Sequence, residues 1–362
     1  MSRRVATMGT DVFHRVLICI CSPLLTCAGL ADLSAQSTKA PPRPGGKPPL
    51  ITPETQSAID RGLAFLAMRQ HPDGSLGSGG TYQRNVAVTS LAGMAFVSGG
   101  HTPGRGRYGR HVQLTIDNVV QHVQPSGFII SDEKASGHGP MYGHGFATLF
   151  LAEVNGMSRH KQLPQKLQRA VQLIIRTQNS EGGWRYFPVA KDADVSVTVC
   201  QVMALRAARN AGVEVPKQTI NRAVAYIRSC QNEDGGFRYQ IRLKRTSRFP
   251  RSAAGIMGLF SAGIYEGDEI NRGLDYLERQ RPRAESHPQD HYFYGQYYAT
   301  QALWHAGGQR ADQWYIRLRQ ELLQRQLPSG AWADTYICNE YGTAMACLIL
   351  QVPNNYLPIF ER

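Results

Sequence analysis

The stretch Gln178-Asn179-Ser180-Glu181-Gly182-Gly183-Trp184 decides the fold, because a glutamine followed by a glycine-bearing turn recurs along the chain. Consecutive glutamines of this pattern are separated by 54, 54, 53, 49 and 46 residues. In order they are Gln70, Gln124, Gln178, Gln231, Gln280 and Gln326, and the turn after Gln280 lacks the glycines. Internal similarity at a fixed period indicates a repeat architecture, here with six units of roughly fifty residues.

Each unit is typical of two helices that differ in character. Before the glutamine, apolar residues recur at helical spacing, as in Ala170-Val171-x-Leu173-Ile174-Ile175, which indicates a helix with one buried face. A more uniformly apolar helix follows the turn, and such a helix is expected in the interior. The β-branched run Val195–Val202 resembles a strand on its own, but its place in the repeat predicts a helix. The six apolar stretches are Val86–Val97, Gly145–Val154, Val195–Arg206, Ala253–Ala262, Tyr297–Ala306 and Thr343–Leu350.

These units predict an all-α fold of six helical hairpins. Their period is compatible with an open solenoid and with a closed (α/α)6 toroid. An open array would end in a polar capping helix, because its last repeat has no neighbour on one side. The last stretch, from Tyr341 to Leu350, is as apolar as the middle ones. The sequence therefore favours closure into a toroid.

The N-terminal region does not belong to the repeats. Basic residues up to Arg15 precede an apolar run from Val16 to Leu30, as in a secretory signal, with an uncleaved membrane anchor as the alternative. We assign residues 1–35 to the signal peptide or membrane anchor, 36–53 to a Pro/Gly-rich linker and 54–362 to the toroid. The protein is therefore expected to be exported, periplasmic or associated with the cell envelope, with membrane association through its N-terminal segment.

Charge and cysteine content restrict the partners. A net charge of +13 suits nucleic acid, anionic lipid or phosphate-bearing small molecules, but scattered basic residues in an exported chain disfavour nucleic acid. Outside the signal region the cysteines show no zinc-ligand spacing, and buried thiols are expected, with one disulfide as the alternative. These are Cys200, Cys230, Cys338 and Cys347. We expect no metal and no cofactor.

The glycine-bearing turns carry a resemblance to a known superfamily. Gln178…Gly182-Gly183-Trp184, together with Arg61-Gly62-x-x-Phe65…Gln70, resembles the Gln-Trp repeat of squalene-hopene cyclases. Gln231-Asn232-Glu233-Asp234-Gly235-Gly236-Phe237 is similar to the repeat of protein prenyltransferase β subunits. The resemblance implies a six-hairpin α/α toroid around an apolar cavity, and it covers nearly all of the chain after the linker. Because members with different activities share these turns, it implies less about the reaction.

Asp192-Ala193-Asp194-Val195 is similar to the acid motif of squalene-hopene cyclases, Asp-x-Asp-Asp at the start of an inner helix. By position Asp194 matches the proton donor and Asp192 the leading aspartate, while Val195 replaces the trailing one. Protonating an alkene requires a carboxylic acid that its surroundings keep neutral. The alternative for Asp194 is a helix N-cap.

Zinc-dependent protein prenylation is disfavoured by the same comparison. The stretch Phe249-Pro250-Arg251-Ser252 stands where that family has its Asp-x-Cys zinc ligands, and it holds neither residue type. His138 and His144, six residues apart, fit no common metal spacing. Basic residues near Arg242 and Arg248 lie close to where the family holds a diphosphate, or else form a solvated loop.

Two functions remain open at this point. The first is a terpenoid-cyclase-like enzyme or binder of an isoprenoid or lipid ligand, with Asp194 as the acid. The second is a non-catalytic toroid that binds an envelope protein partner or serves as a scaffold. Helix starts and aromatic turns at one rim of the toroid would contact the ligand. The candidate ligand-binding residues are Tyr142, His144, Trp184, Arg242, Arg251, Tyr294, Gln296, Trp332, Glu340 and Tyr341.

Overall fold

The computed structural model describes residues 49–132, 136–286 and 291–361, so the predicted signal segment and residues 36–48 of the linker lie outside it. Twelve α-helices and no β-strand are found among the described residues. The helices are α1 Pro53–Arg69, α2 Val86–Ser98, α3 Gly109–Gln121, α4 Pro140–Val154, α5 Leu163–Arg176, α6 Val195–Asn210, α7 Lys217–Cys230, α8 Phe249–Ser261, α9 Asp268–Ser286, α10 Tyr292–Ala306, α11 Gly308–Arg325 and α12 Asn339–Gln351.

The even-numbered helices form a closed inner ring. Each packs against the next, from α2 through α4, α6, α8 and α10 to α12, and α12 packs against α2. The odd-numbered helices lie outside, each between two inner helices, and α1 packs mainly on α12. The predicted (α/α)6 toroid and its closure are thereby confirmed, as are the six predicted inner helices, including α6 with its β-branched start.

Local sequence signals set the helix starts. Asn85 caps α2 by accepting from the backbone N–H groups of Ala87 and Val88, at 2.8 and 3.3 Å. Asp194 caps α6 by accepting from the N–H of Val197 at 2.9 Å. Such side chains satisfy N–H groups that the first helical turn leaves without partners.

The repeated glutamine ties neighbouring units together. Gln178 Nε2 donates to the carbonyl of Gly182 in its own turn and to that of Thr219 at the start of α7, at 2.8 and 2.9 Å. Gln70 and Gln231 make the equivalent pair of bonds with α3 and α9. Gln326 does so across the ring closure, reaching Ala58 in α1. At these four junctions the side-chain amide therefore supplies a hydrogen-bond donor to two backbone carbonyls.

The first glycine of each turn recurs for a steric reason. Gly182 adopts φ +97°, and a Cβ added there would come 2.3 Å from the carbonyl oxygen of Arg222 in α7. Positive φ is readily populated only by glycine. The turn therefore packs directly against the backbone of the next outer helix.

Two units depart from this pattern. Gln124 is exposed, and the second junction uses His144 instead, whose ring lies between the N–H of Ile129 and the carbonyl of Ala170. Gln280 does not close its helix, contrary to the sequence prediction, because α9 continues to Ser286.

The first and last helices close the ring, and the C-terminal segment covers the end of the toroid opposite the start of the inner helices. Glu340 at the start of α12 accepts from Arg69 Nε in α1 and from Ser78 Oγ, both at 2.8 Å. The C-terminal segment 352–361 crosses the end of the toroid where the inner helices finish, and Arg206 of α6 donates to the carbonyl of Glu361. None of the described helices is both long and apolar enough to cross a membrane.

Candidate functional site

A cavity of about 480 Å³ lies inside the inner ring, at the end where the inner helices begin. All six inner helices contribute side chains from their first turns or from the residues just before them. The lining comprises Tyr82, Asn85, Ala87, Val88, Leu91, Ser136, His138, Tyr142, Gly143, Phe146, Tyr186, Ser196, Tyr239, Arg248, Pro250, Arg251, His291, Tyr294, Ile337 and Tyr341. This volume falls within the range of small-molecule sites, roughly 300–1,000 Å³.

The inner part of the cavity is aromatic and aliphatic. Leu91 and Phe146 line it from α2 and α4. Tyr294 lines it from α10 and packs edge-on against Tyr298, with ring centroids 4.7 Å apart. Burial raises the pKa of Tyr142 well above its usual value, so this side chain stays neutral. The cavity therefore offers neutral π faces and apolar surface to a ligand.

The mouth is positive and polar. The N-termini of six helices meet there, and each carries the positive end of a helix dipole. Arg248 and Arg251 line the mouth beside α8. The Arg251 guanidinium is held in place, since its Nε donates to the carbonyl of Phe237 at 2.9 Å. This arrangement suits a negatively charged or strongly polar head group.

Asp194 lies directly behind the cavity wall and is fully buried. One carboxylate oxygen caps α6; the other accepts from the Tyr239 hydroxyl at 3.3 Å and lies 4.0 Å from Arg185 Nε. Burial raises its pKa from 3.8 to about 7, against the opposing effects of the Val197 N–H and of Arg185. Asp194 is therefore a helix cap, and its buried carboxyl group has a pKa raised towards neutral pH, while its role as an acid stays a prediction.

Two tyrosines connect Asp194 to the cavity. Tyr239 contacts Asp194 through its hydroxyl, and the same hydroxyl is hydrogen-bonded to that of Tyr186. Both tyrosine side chains line the cavity, whereas Asp194 does not. The Tyr239 hydroxyl therefore lies between Asp194 and the cavity.

A histidine cluster stands at the opposite side of the mouth. His138 is hydrogen-bonded to the hydroxyl of Tyr82 and, at 2.7 Å, to that of Tyr336. The ring of His291 lies 5.7 Å from that of His138, centroid to centroid. Burial, and secondarily His291, lower the pKa of His138, so it is neutral at pH 7. These side chains narrow the entrance between the loops that precede α2, α4, α10 and α12.

Four of the predicted ligand-binding residues line the cavity, namely Tyr142, Arg251, Tyr294 and Tyr341. The structure places the others elsewhere. Trp184 and Trp332 are core residues whose indole N–H groups donate to the carbonyls of Ile174 and Leu322. His144 holds a junction of the ring, and burial lowers its pKa to about 3.

The remaining predicted residues also lie outside the cavity lining. Glu340 is bound to Arg69 and Ser78, as described above. Gln296 is fully buried in α10 but does not contact the cavity. Arg242 is exposed and paired with Glu181, and Asp192 is half-exposed and paired with Arg185.

Sequence reasoning missed Tyr186 and Tyr239, although a signal was present. Each stands two residues after the aromatic residue of a glycine turn, in Gly182-Gly183-Trp184-Arg185-Tyr186 and in Gly235-Gly236-Phe237-Arg238-Tyr239. The backbone is extended there, with a bridge between Trp184 and Asp194. In extended backbone, alternate side chains point to opposite sides, so the aromatic residue enters the core and the tyrosine reaches the cavity.

The side chains that could ligate a metal ion are dispersed in the part of the chain that the structure describes. No group of three or more His, Cys, Asp or Glu side chains there is arranged to hold a metal ion. Cys200, Cys230, Cys338 and Cys347 are buried and free, as expected for buried thiols.

Comparison with known families identifies relatives among terpenoid cyclases. Residues 144–304 match the family model of the squalene-hopene cyclase C-terminal domain. A drimenyl diphosphate synthase from Streptomyces showdoensis is 26% identical over 187 residues, which are 51% of this chain and 32% of that protein. The match thus spans about a third of the length of this relative.

Solved structures share the fold at low sequence identity. A type II terpene cyclase from Scytonema is 15% identical, with a TM-score of 0.57 and coverage of 86% of this chain and all of that one. A D-mannose isomerase is 13% identical, with a TM-score of 0.59 and coverage of 84% of this chain and 99% of that one. A cellobiose 2-epimerase from Bacillus thermoamylovorans is 11% identical, with a TM-score of 0.58 and coverage of 82% of this chain and 98% of that one. Since the same toroid serves terpene and sugar chemistry, these structures support the fold alone.

Proposed function

We propose that the chain belongs to the superfamily of terpenoid cyclases and prenyltransferases built as α/α toroids, that it binds an isoprenoid ligand in the aromatic cavity, and that Asp194 supplies a proton to this ligand. One observation carries the proposal. Asp194 is a buried carboxyl group with a pKa raised to about 7, and a single tyrosine hydroxyl separates it from the cavity.

The shape and chemistry of the cavity favour an apolar chain with a polar head. Leu91, Phe146 and Tyr294 offer apolar contacts at the inner end, and Arg248 and Arg251 stand at the mouth. The chain of an isoprenoid would lie against the aromatic rings, with its head group beside the arginines and the helix N-termini. Two similar proteins support this ligand class. One is a drimenyl diphosphate synthase, and the other is a type II terpene cyclase of the same fold that was solved with geranylgeranyl dihydroxybenzoate.

The proposed reaction begins with protonation of a carbon–carbon double bond. This step uses neutral Asp194, whose carboxyl proton lies on the oxygen that faces Tyr239, so that the hydrogen bond between them runs from Asp194 to Tyr239. The π electrons of the alkene take the hydroxyl proton of Tyr239, Tyr239 takes the proton of Asp194, and the carboxylate of Asp194 is left behind. The product is a carbocation, which aromatic faces stabilise by cation–π attraction worth roughly 0.5–2 kcal/mol each. Tyr142, Phe146 and Tyr294 supply such faces.

A second function, binding without chemistry, is favoured by a specific feature of the same residue. One oxygen of Asp194 is engaged as the cap of α6, and Arg185 lies 4.0 Å from the other. Both contacts favour the carboxylate over the acid. An Asp194 that stays ionised would make the toroid an isoprenoid carrier or a scaffold at the envelope.

Product analysis separates these functions. We would incubate the full chain with farnesyl diphosphate, geranylgeranyl diphosphate and squalene, and identify products by gas chromatography and mass spectrometry. Asp194→Asn should abolish a cyclised product while leaving ligand affinity within about twofold, because asparagine also caps helices. Asp192→Asn is the matched control, since this neighbour is half-exposed and should keep the activity. Ligand binding without product in the wild type would favour the carrier.

We also propose that the protein is exported through residues 1–35. Cell fractionation with an antibody against the toroid tests this directly. Recovery in the periplasmic or envelope fraction is the expected result, and recovery in the cytosol alone would contradict it.

A further inference from the structure

Basic side chains are concentrated on two outer helices, α3 and α5, and on the loops before them. The stretches 99–116 and 155–178 contain no acidic residue. Lys166 Nζ of α5 donates to the carbonyl of Val120 in α3 at 2.7 Å, so the two helices are neighbours in the outer ring. We call this surface the basic face, and its exposed basic residues are Arg105, Arg107, Arg110, Arg159, Lys161 and Arg169.

The charges of the basic face are not paired within the protein. None of the six side chains forms a salt bridge with a residue that the structure describes, whereas on α7 Arg228 is paired with Glu269 at 2.6 Å. The exposed carboxylate of Asp117 on α3 faces His160, at 3.9 Å, rather than one of the six. Because the charges are spread over two helices, each about 20 Å long, their positive potential suits a polyanion better than a small anion.

The rest of the basic face is polar. α5 exposes Gln165, Gln168 and Gln172 beside its basic residues, and each amide offers both donors and acceptors to hydroxyl groups. The large exposed apolar side chains of the described residues lie elsewhere, apart from Tyr356, which borders the loop before α3 at Gly100. Protein interfaces are centred on clusters of aromatic and apolar anchors, which one tyrosine at the edge does not supply. A protein partner is therefore disfavoured for this surface.

We infer that the basic face binds an anionic polysaccharide, a polymer that carries carboxylate or sulfate groups among its hydroxyls. The guanidinium groups would pair with the anionic groups, since arginine binds a planar carboxylate through two parallel hydrogen bonds. The glutamine amides would hydrogen-bond to the sugar hydroxyls. Export through residues 1–35, as proposed above, would expose this surface to envelope polysaccharides rather than to nucleic acid. The inference goes beyond the proposed function, because it requires neither the cavity nor Asp194.

Binding of the full chain to defined polysaccharides tests the inference. Alginate carries a carboxylate on every sugar, dextran sulfate carries sulfate groups, and dextran is the neutral control. Biolayer interferometry would measure the affinity for each immobilised polymer. We expect alginate and dextran sulfate to bind at least about tenfold more tightly than dextran, with affinities that fall steeply between about 50 and 300 mM salt.

Charge reversal locates the binding surface. Arg105→Glu with Arg169→Glu should weaken alginate binding by about tenfold or more. Lys191→Glu with Arg317→Glu, at exposed positions outside the basic face, changes the net charge equally and should leave the affinity within about twofold. The basic residues of segment 1–48 are common to all these proteins. Equal effects of the two double variants, equal binding of dextran, or no binding of either charged polysaccharide would overturn the inference. Tighter binding of a DNA duplex or of polyglutamate than of both charged polysaccharides would also overturn it, and would assign the basic face to nucleic acid or to an acidic protein.

Discussion

Replacing Asp194 with asparagine should change the pH dependence of stability while keeping the start of α6 intact. Asparagine caps helices as well as aspartate does, so the N–H of Val197 keeps its partner. What the substitution removes is a titrating group. Burial raises the pKa of the native Asp194 carboxyl from 3.8 to about 7.

The sign of the effect follows from proton linkage. Between these two pKa values the native state retains a proton that the unfolded chain has released, so the free energy of unfolding falls as pH rises. The contribution is fully present below about pH 4, is lost as pH rises towards about 7, and is constant above that. A shift of about three units corresponds to about 4 kcal/mol.

Urea unfolding followed by circular dichroism measures this contribution. We would compare wild type and Asp194→Asn at about pH 4.5, 6 and 8. Wild type should lose about 3 kcal/mol relative to the variant across this range, because part of the full effect falls below pH 4.5. Other titrating groups, Glu153 included, are common to both proteins and cancel in the difference. A difference that stays constant to within about 1 kcal/mol would refute the assignment of a neutral, buried Asp194.

Three further predictions concern the ring itself. Gln326→Ala should lower the free energy of unfolding in urea by about 2 kcal/mol, because two backbone carbonyls lose their hydrogen-bond donor. Gln124→Ala, at the equivalent but exposed position, should change it by less than about 0.5 kcal/mol. Gly182→Ala should lower the free energy of unfolding by more than about 3 kcal/mol, because the added Cβ would clash with the backbone of α7. Gly212→Ala, at φ +86° with open space around it, should lower it by about 1 kcal/mol. Equal losses in the two variants would contradict the packing argument. Burial raises the pKa of Glu153 to about 8. The melting temperature of wild type should therefore fall between about pH 6 and 9, and it should fall less in Glu153→Gln. Parallel plots of melting temperature against pH for the two proteins would contradict this.

The fold could be predicted from the sequence because its determinants are local and repeated. Each glutamine and glycine marks a junction, and the alternation of half-apolar and fully apolar helices separates the outer ring from the inner one. The inner helices begin earlier than predicted in four units, for instance at Pro140 in α4 and at Phe249 in α8. Pro140 and Pro250 are themselves helix-start signals, which the apolar pattern alone does not use.

The site was harder to predict because it depends on which side of an element each residue faces. Tyr294 reaches the cavity, but Gln296, two residues further along α10, is turned by about 200° and faces away. Tyr142 and His144 in α4 differ in the same way. Helical phase relative to the ring axis is set by packing between units, so a single repeat sequence does not specify it.

Long-range contacts account for the rest of the missed site. His138 and Tyr336 meet across the mouth although 198 residues separate them. Asp194 and Tyr239 come from successive units, and the packing of these neighbours places the Tyr239 hydroxyl between the carboxyl group and the cavity. Such contacts arise between units, and the pattern within one repeat carries no direct sign of them.

If the cavity of the inner ring holds an isoprenoid, geranylgeranyl diphosphate should bind there, and its binding isotherm is the measurement to make. Isothermal titration calorimetry would compare wild type with Ala87→Trp, which fills the cavity from its half-buried wall, and with Ala306→Trp at the exposed far end of α10. We expect saturable binding to wild type and to Ala306→Trp, and affinity at least about tenfold weaker for Ala87→Trp. No binding to wild type, or undiminished binding to Ala87→Trp, would show that the isoprenoid does not bind in this cavity.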